Sequence, residues 1–174
     1  MEWKEELQQH TKEAEKVVQG YLPEETGHQK LLIEASNYSV LVGGKRLRPM
    51  IMLESFKAFG GTGNVVEPFM AALEMIHSGS LVHDDLPCMD NDEYRRGNLT
   101  TWKKYGYDMA VLAGDKLFIY AFETAAKAFA LTDRADLVGK AISILANKAG
   151  IYGMIGGQSV DVEYTDRPVT KSQL

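Results

Sequence analysis

The sequence has little cysteine, no excess of basic residues and no long uninterrupted apolar run. The single cysteine, Cys88, cannot form a disulfide within the chain, so nothing points to an oxidising compartment and we expect a cytoplasmic protein. Nineteen Lys and Arg residues against twenty-four Asp and Glu residues give a net charge of −5, which argues against a nucleic-acid partner. The amino terminus lacks a signal-peptide core, and charges interrupt the most apolar stretch, residues 108–131, so we expect no membrane span.

The sustained alternation of apolar and polar residues that is typical of β-strands is also missing. Apolar residues instead recur every three or four positions, beginning with Trp3, Leu7 and Val18, which predicts a helix that ends near Gly20. The same spacing predicts five further helices, over residues 28–42, 47–59, 67–85, 104–130 and 134–150. Because 45% of the 174 residues are apolar, the chain can form a packed core, and we predict an all-α fold.

Four carboxylates lie within the nine residues 84–92, at the end of an apolar helical run. Their mutual repulsion would be relieved by a hard cation, and oxygen donors of this kind favour Mg²⁺ over zinc. Asp84 and Asp90 are about 120° apart on an ideal helix, so they converge only if the helix loosens near Pro87. His77, seven residues before Asp84, lies on the same helical stripe and could line a pocket with it. The alternative is a solvated acidic helix end.

Basic residues flank the acidic segment on both sides. Three cations follow two glycines in the segment 43–49, and Lys45 and Arg48 can point the same way at a helix start. Arg95 and Arg96 form a second pair directly after the carboxylates. Either group alone could be a solvated turn, but cations on both sides of a carboxylate cluster match the needs of two phosphorylated substrates. The pattern therefore indicates magnesium-dependent chemistry on diphosphates.

Four motifs occur in a fixed order along the chain: GGKRLRP at 43–49, EMIHSGSLVHDDLPCMDNDEYRRG at 74–97, GD at 114–115 and GGQSVD at 156–161. Together they resemble the amino-terminal half of a bacterial all-trans isoprenyl diphosphate synthase of the farnesyl or geranylgeranyl type. The resemblance implies an isoprenoid synthase-type helical bundle, of which residues 1–174 form the amino-terminal part of a single all-α domain. It also implies a homodimer when the protein is full length.

The reaction that this resemblance implies is head-to-tail prenyl transfer. Isopentenyl diphosphate condenses with dimethylallyl, geranyl or farnesyl diphosphate to give farnesyl or geranylgeranyl diphosphate and pyrophosphate. By resemblance, Asp84, Asp85 and Asp90 are the catalytic residues that bind Mg²⁺ and, through it, the allylic diphosphate.

The resemblance also assigns substrate-binding residues. The positions that hold isopentenyl diphosphate are matched by Lys45, Arg48, His77 and Arg96. Arg95 matches a position on the allylic diphosphate, and Gln158 and Asp161 match a polar motif that faces the cavity.

Two small residues, Gly79 and Ser80, match positions that set product length in the family. Their size favours a product of twenty carbons over one of fifteen, although Phe118 or Tyr120 could close the same space. A glycine that only eases helix packing is the alternative for Gly79.

The family's second aspartate-rich motif, its Lys-Thr pair and its carboxyl-terminal basic element would all follow Leu174. We therefore expect the 174 residues alone to be inactive and the natural protein to continue, or a partner to complete it. Residues 170–173 form a T-x-x-Q capping-box pattern, which predicts a helix start unless the match is accidental.

Two other functions fit parts of the sequence. The His83-Asp84 pair is also found in metal-dependent phosphohydrolases, although the remaining histidines and Asp115 do not complete such a pattern. The chain could also be a non-catalytic subunit that binds a diphosphate and regulates a longer partner.

Overall fold

Helices account for nearly all regular structure in the computed structural model, which describes residues 3–168 and 170–171. The all-α prediction is confirmed. The α-helices in the described residues are α1 (Trp3–Gly20), α2 (Lys30–Leu41), α3 (Leu47–Ala58), α4 (Glu67–Asp84), α5 (Thr101–Tyr105), α6 (Tyr107–Ala126), α7 (Ala135–Ala149) and α8 (Met154–Glu163). Two short strands, β1 (Tyr94–Arg95) and β2 (Asn98–Leu99), form an antiparallel hairpin.

The chain divides into two units between Asp133 and Arg134. The first contains α1 to α6 and the hairpin, and the second contains α7 and α8, which contact each other. None of the helices in the described part of the chain combines the length and apolar composition needed to cross a bilayer.

Three elements differ from the sequence prediction. The helix predicted over 104–130 is divided at Gly106, whose φ of 97° interrupts helical geometry, and it ends in the 3₁₀ turn Lys127–Leu131. The hairpin has strands of two residues, too short for alternation to reveal them. Helix α8 was not predicted, because two adjacent glycines interrupt its apolar pattern. The capping-box prediction rests on Ser172 and Gln173, which lie outside the described residues.

Helix α4 is the central element of the first unit. It packs against α1, α2, α3 and α6, and its buried side chains include Met70, Met75 and Val82. A helix that is apolar on most faces is stable only when neighbours cover it, which explains its position. The consequence for function is that the carboxyl-terminal half of α4, which carries the predicted site residues, has a rigid support.

Helices α4 and α6 approach each other closely through small residues. The buried residues of α6 include Ala110, Ala113 and Gly114, and the facing residue of α4 is Gly79. A Cβ atom added to Gly79 would lie 3.2 Å from the Leu117 Cβ atom and 3.3 Å from the Gly114 carbonyl oxygen. A side chain at position 79 would therefore require a neighbouring group to move slightly, whereas glycine fits this contact as it is.

Candidate functional site

A cleft of about 370 Å³ lies between the loop that precedes α3 and the side of α4 that carries Glu74 and His77. Its lining residues are Gly44, Lys45, Arg46, Leu47, Arg48, Glu74, His77 and Arg96. The structure therefore brings together four residues that the sequence analysis assigned to one substrate, although they lie up to 51 positions apart in the chain. Such a concentration of cations in a concave site favours an anionic ligand.

The cleft is shaped by a loop with an unusual backbone. Gly43 and Gly44 have φ angles of 91° and 155°, which favour glycine. The Arg96 guanidinium donates a hydrogen bond to the Gly43 carbonyl oxygen. A Cβ atom on Gly44 would lie only 2.5 Å from the Arg96 Nη1 atom. Gly44 therefore makes room for Arg96, which reaches this loop from the β1–β2 turn, and Gly43 supplies the carbonyl oxygen that it contacts.

One of the three cations in the segment 43–49 is not available to a ligand. Arg46 is only 2% exposed, and its guanidinium pairs with Glu15 of α1 and with Glu74 of α4. Its Nη2 atom also donates to the Val40 carbonyl oxygen at 2.5 Å. Arg46 was counted among the three cations of this segment but was not assigned to a substrate, and Glu74 was not singled out from the sequence. A glutamate among the apolar residues of a buried helix was the available signal, because a buried carboxylate needs a partner.

His77 lies half-buried in the cleft. Burial lowers the pKa of its imidazole first of all, and the positive charges of Arg48, Arg96 and Arg46 lower this pKa further, while Glu74 opposes the shift. The imidazole is therefore mainly uncharged at neutral pH, and it can offer one donor and one acceptor to a ligand.

The acidic segment forms a tight turn at the end of α4. The helix ends at Asp84, and the chain reverses so that the Asp90 amide donates to the Asp84 carbonyl oxygen at 2.8 Å. The condition for convergence is met, because the helix ends before Pro87 and the backbones of Asp84 and Asp90 meet in the turn. Burial raises the pKa of the Asp84 carboxyl, and repulsion from Asp90 raises it further. A cation bound between them would remove that repulsion.

Asp85 and Arg95 form a separate ion pair beside this turn. The Arg95 Nε atom donates to both carboxylate oxygens of Asp85, at 2.8 and 3.0 Å, and Nη2 donates to Oδ1 at 2.5 Å. Burial raises the pKa of Asp85, and Arg95 opposes that shift. In this arrangement the charges of Asp85 and Arg95 neutralise each other. Binding roles for either residue, which remain predictions, would require the pair to exchange partners.

The carboxylates of the turn suit a Mg²⁺ ion that is also bound by substrate phosphates. They do not form a site in which protein side chains supply all the ligands. Among the described residues, no group of three or more His, Cys, Asp or Glu side chains is arranged to hold a metal. Mg²⁺ usually keeps several waters and is held by one or two carboxylates together with substrate phosphates. The neighbouring carboxylates of Asp84 and Asp90 match that need.

The remaining predicted residues lie in different surroundings. Gly79 faces α6, whereas Ser80 is half-buried and donates a hydrogen bond to the His77 carbonyl oxygen at 2.8 Å. On α8, Gln158 and Asp161 are three residues apart, which places them on neighbouring positions of one helix face. Their site roles remain predictions.

His83 has a packing role in the described residues. Its Nε2 atom lies 3.1 Å from the Val111 carbonyl oxygen, and its ring packs edge-on against Phe118 at 5.6 Å between centroids. Both partners belong to α6. These contacts account for the residue without a role in chemistry.

The fold and the site define an all-α chain with a cationic cleft and an acidic turn on one central helix. The polyprenyl synthetase family matches residues 29–173, and the chain belongs to this family. The predicted family resemblance is thereby confirmed, and the phosphohydrolase alternative has no support.

Named relatives agree with this assignment. The chain is 49% identical over 129 residues to a chloroplastic geranylgeranyl pyrophosphate synthase of Catharanthus roseus, covering 74% of this chain and 36% of that protein. It is 39% identical over 168 residues to the farnesyl diphosphate synthase of Geobacillus stearothermophilus, covering 97% and 56%. A geranyltransferase structure from Legionella pneumophila matches with a TM-score of 0.89 and 33% identity, covering 98% and 60%. The chain thus spans between about a third and three fifths of these relatives' lengths.

Proposed function

We propose that this chain forms the amino-terminal part of a short-chain isoprenyl diphosphate synthase that carries out head-to-tail prenyl transfer. The observation that carries the proposal is the arrangement of the cationic cleft and the acidic turn along α4, with His77 at one and Asp84 at the other. Two sites for diphosphates next to each other are what a condensation of two diphosphate substrates needs.

The cleft is the proposed site of isopentenyl diphosphate. Lys45 and Arg48 are both exposed at the start of α3, where their charges can reach a ligand, and Arg96 extends across the loop from the other side. Arginine can bind a phosphate with two parallel hydrogen bonds, whereas lysine contributes a compact charge. The uncharged His77 imidazole would add a hydrogen bond without a further positive charge.

The acidic turn is the proposed site of the allylic diphosphate. Asp84 and Asp90, with Asp85 after exchange from Arg95, would hold Mg²⁺ together with the diphosphate oxygens. When bound, the metal stabilises the negative charge that develops on the leaving diphosphate. The allylic carbon–oxygen bond breaks and releases pyrophosphate, and the double bond of isopentenyl diphosphate attacks the resulting cation. Transfer of a proton from the condensed cation to the released pyrophosphate completes the product. The protein's part in this reaction is to position both substrates and to exclude water.

The test is a chimera that supplies the part of the family domain beyond the matched region. Residues 1–174 are joined to the following segment of the Geobacillus stearothermophilus farnesyl diphosphate synthase, and labelled isopentenyl diphosphate is incubated with geranyl or farnesyl diphosphate and Mg²⁺. We expect labelled prenyl product from the chimera and none from the 174-residue chain or from the added segment alone. Chromatography after dephosphorylation identifies the product.

Two matched variants of the chimera make the test specific. Asp84→Asn should lower the rate by about 100-fold or more, because it removes a group that stabilises charge in the transition state. Glu54→Gln alters an exposed carboxylate of α3 that pairs with Lys57 and His10, and it should leave the rate unchanged. A folded chimera without product, or an Asp84→Asn variant of undiminished rate, would contradict the proposal. Binding of both diphosphates without turnover would favour the regulatory-subunit alternative.

Homodimeric assembly and a cytoplasmic location belong to the same proposal. They are supported by the family resemblance and by the single cysteine, respectively.

A further inference from the structure

Glu74 is a carboxylate that lines a cleft built for an anion. It shares the cleft with Lys45, Arg48, His77 and Arg96, and its side chain is 4% exposed. An unpaired carboxylate in this position would repel a diphosphate and offset part of the attraction from the cations. The site therefore needs a means to neutralise Glu74 without filling the cleft.

Arg46 has the geometry to do this. Its Nη1 atom donates to the Glu74 Oε1 atom at 2.6 Å, its Nε atom donates to Glu15, and its Nη2 atom donates to Glu15 and to the Val40 carbonyl oxygen. All three guanidinium nitrogens are engaged, and the side chain is 1% exposed. Arg46 therefore has little capacity to contact a ligand directly.

The backbone at Arg46 links this ion pair to the ligand-binding cations. Arg46 has a φ of 48°, and its carbonyl oxygen accepts the hydrogen bond from Met50 that opens α3. The left-handed conformation costs free energy for a residue other than glycine, and it persists only when its surroundings hold it. Here the buried side chain is fixed between α1 and α4, while Lys45 and Arg48 on either side remain exposed.

We infer that Arg46 acts on the diphosphate cleft by masking the charge of Glu74, which would otherwise oppose an anion held by Lys45 and Arg48. The inference rests on the proposed function, because it assigns the cleft to a diphosphate. It goes beyond that function by giving the Arg46–Glu74 pair a role in affinity, separate from the role of the Arg46–Glu15 pair in stability.

If Arg46 masks the charge of Glu74, its removal should change the affinity for an anion in a way that a purely structural role of Arg46 would not. Arg46→Gln should weaken binding of inorganic pyrophosphate by about tenfold or more, the size expected for one unscreened charge near a half-buried ligand. Removing the second charge in Arg46→Gln/Glu74→Gln should restore the Kd to within about threefold of the unaltered chain. Glu74→Gln alone should tighten binding. Glu15→Gln should lower the thermal midpoint and leave the Kd unchanged, because Glu15 does not line the cleft.

The measurement is calorimetric titration of each variant of the 174-residue chain with inorganic pyrophosphate at fixed ionic strength. A double variant that binds as weakly as Arg46→Gln would overturn the inference. If Arg46→Gln does not fold, the comparison of Glu74→Gln with Glu15→Gln decides the question. Equal pyrophosphate affinity in these two variants would likewise overturn the inference.

A second readout needs no ligand, so it separates this inference from the proposed function. NMR titration follows the His77 imidazole, which is influenced by Arg48, Arg96, Arg46 and Glu74. Unmasking Glu74 in Arg46→Gln should raise the pKa of His77, Glu74→Gln should lower it, and Glu15→Gln should leave it in place. Failure of the unaltered chain to bind pyrophosphate would count against the proposed function, while an identical His77 titration in all four proteins would count against charge masking.

Discussion

Lys116 is a residue whose charge the fold leaves poorly compensated. Its Nζ atom is buried and has no hydrogen-bond partner among the described residues, although it lies 4.4 Å from the centre of the Tyr120 ring. Burial lowers the pKa of this amine from 10.5 to about 8, and Glu123 opposes the shift. An ammonium in this position destabilises the fold, because burial disfavours the charged form.

We predict that Lys116→Met increases the free energy of unfolding by about 1–3 kcal/mol at pH 7, the range for a buried group without a partner. The gain should shrink as the pH rises from about 8 to 10.5, because the folded chain releases the Lys116 proton in this range while the unfolded chain keeps it. Urea denaturation at pH 7 and pH 10 measures the difference. Lys127→Met is the matched control, since Lys127 is exposed and its Nζ atom lies 5.5 Å from the centre of the same Tyr120 ring. An equal gain at both pH values would contradict the assignment.

Single residues also show what sequence can and cannot predict about the site. The types and spacing of Lys45 and Arg48 were sufficient to predict an anion site, because phosphate recognition requires cations at close positions. Only the family resemblance assigned His77 to the same site, where the structure places it. The same spacing left Arg46 without an assigned role. Its burial depends on tertiary contacts with Glu15 and Glu74, which the sequence does not show.

At the scale of elements, periodicity predicted the long helices well and the short elements poorly. Helix α4 ends one residue from its predicted end, since its apolar residues recur over five turns. The hairpin and the division at Gly106 depend on local turns and on contacts with other elements, which carry no periodic signal. From the sequence, Asp84 and Asp90 could be expected to converge only if the helix ended near Pro87. Whether it did could not be predicted, because proline permits a turn without determining its path.

The α4–α6 contact yields a prediction about packing. A Cβ atom on Gly114 would lie 2.2 Å from the His83 Nε2 atom, so Gly114→Ala must displace the imidazole from Val111. We expect a loss of about 1–3 kcal/mol in the free energy of unfolding, the usual cost of overpacking a core. Gly20→Ala is the control, because a Cβ atom at that helix end meets no neighbouring atom. Chemical denaturation of both variants provides the comparison, and equal stabilities would show that the helices adapt to a methyl group.

At the scale of the whole molecule, the proposed control of product length depends on the direction in which α4 presents its small residues. Helical geometry places Ser80 about 40° from Asp84 around the axis and Gly79 about 140° from it. Gly79 accordingly packs against Leu117 and Gly114 of α6. Of the two residues predicted to set product length, Ser80 therefore shares the side of the helix on which the allylic substrate is proposed to bind, about 6 Å along the axis from Asp84.

We predict that the unaltered chimera makes a product of twenty carbons and that Ser80→Phe shortens it, because an aromatic ring would occupy the path of the growing chain. Gly79→Ala should leave product length unchanged and lower the thermal midpoint, because its Cβ atom would meet Leu117 at 3.2 Å. Chromatography of the dephosphorylated products, with a melting curve for each variant, measures both effects. A shorter product from Gly79→Ala at an unchanged midpoint would assign the cavity wall to Gly79. An unchanged product from Ser80→Phe would place the limit on chain length in other parts of the assembled enzyme, such as Phe118 or the segment that the chimera supplies.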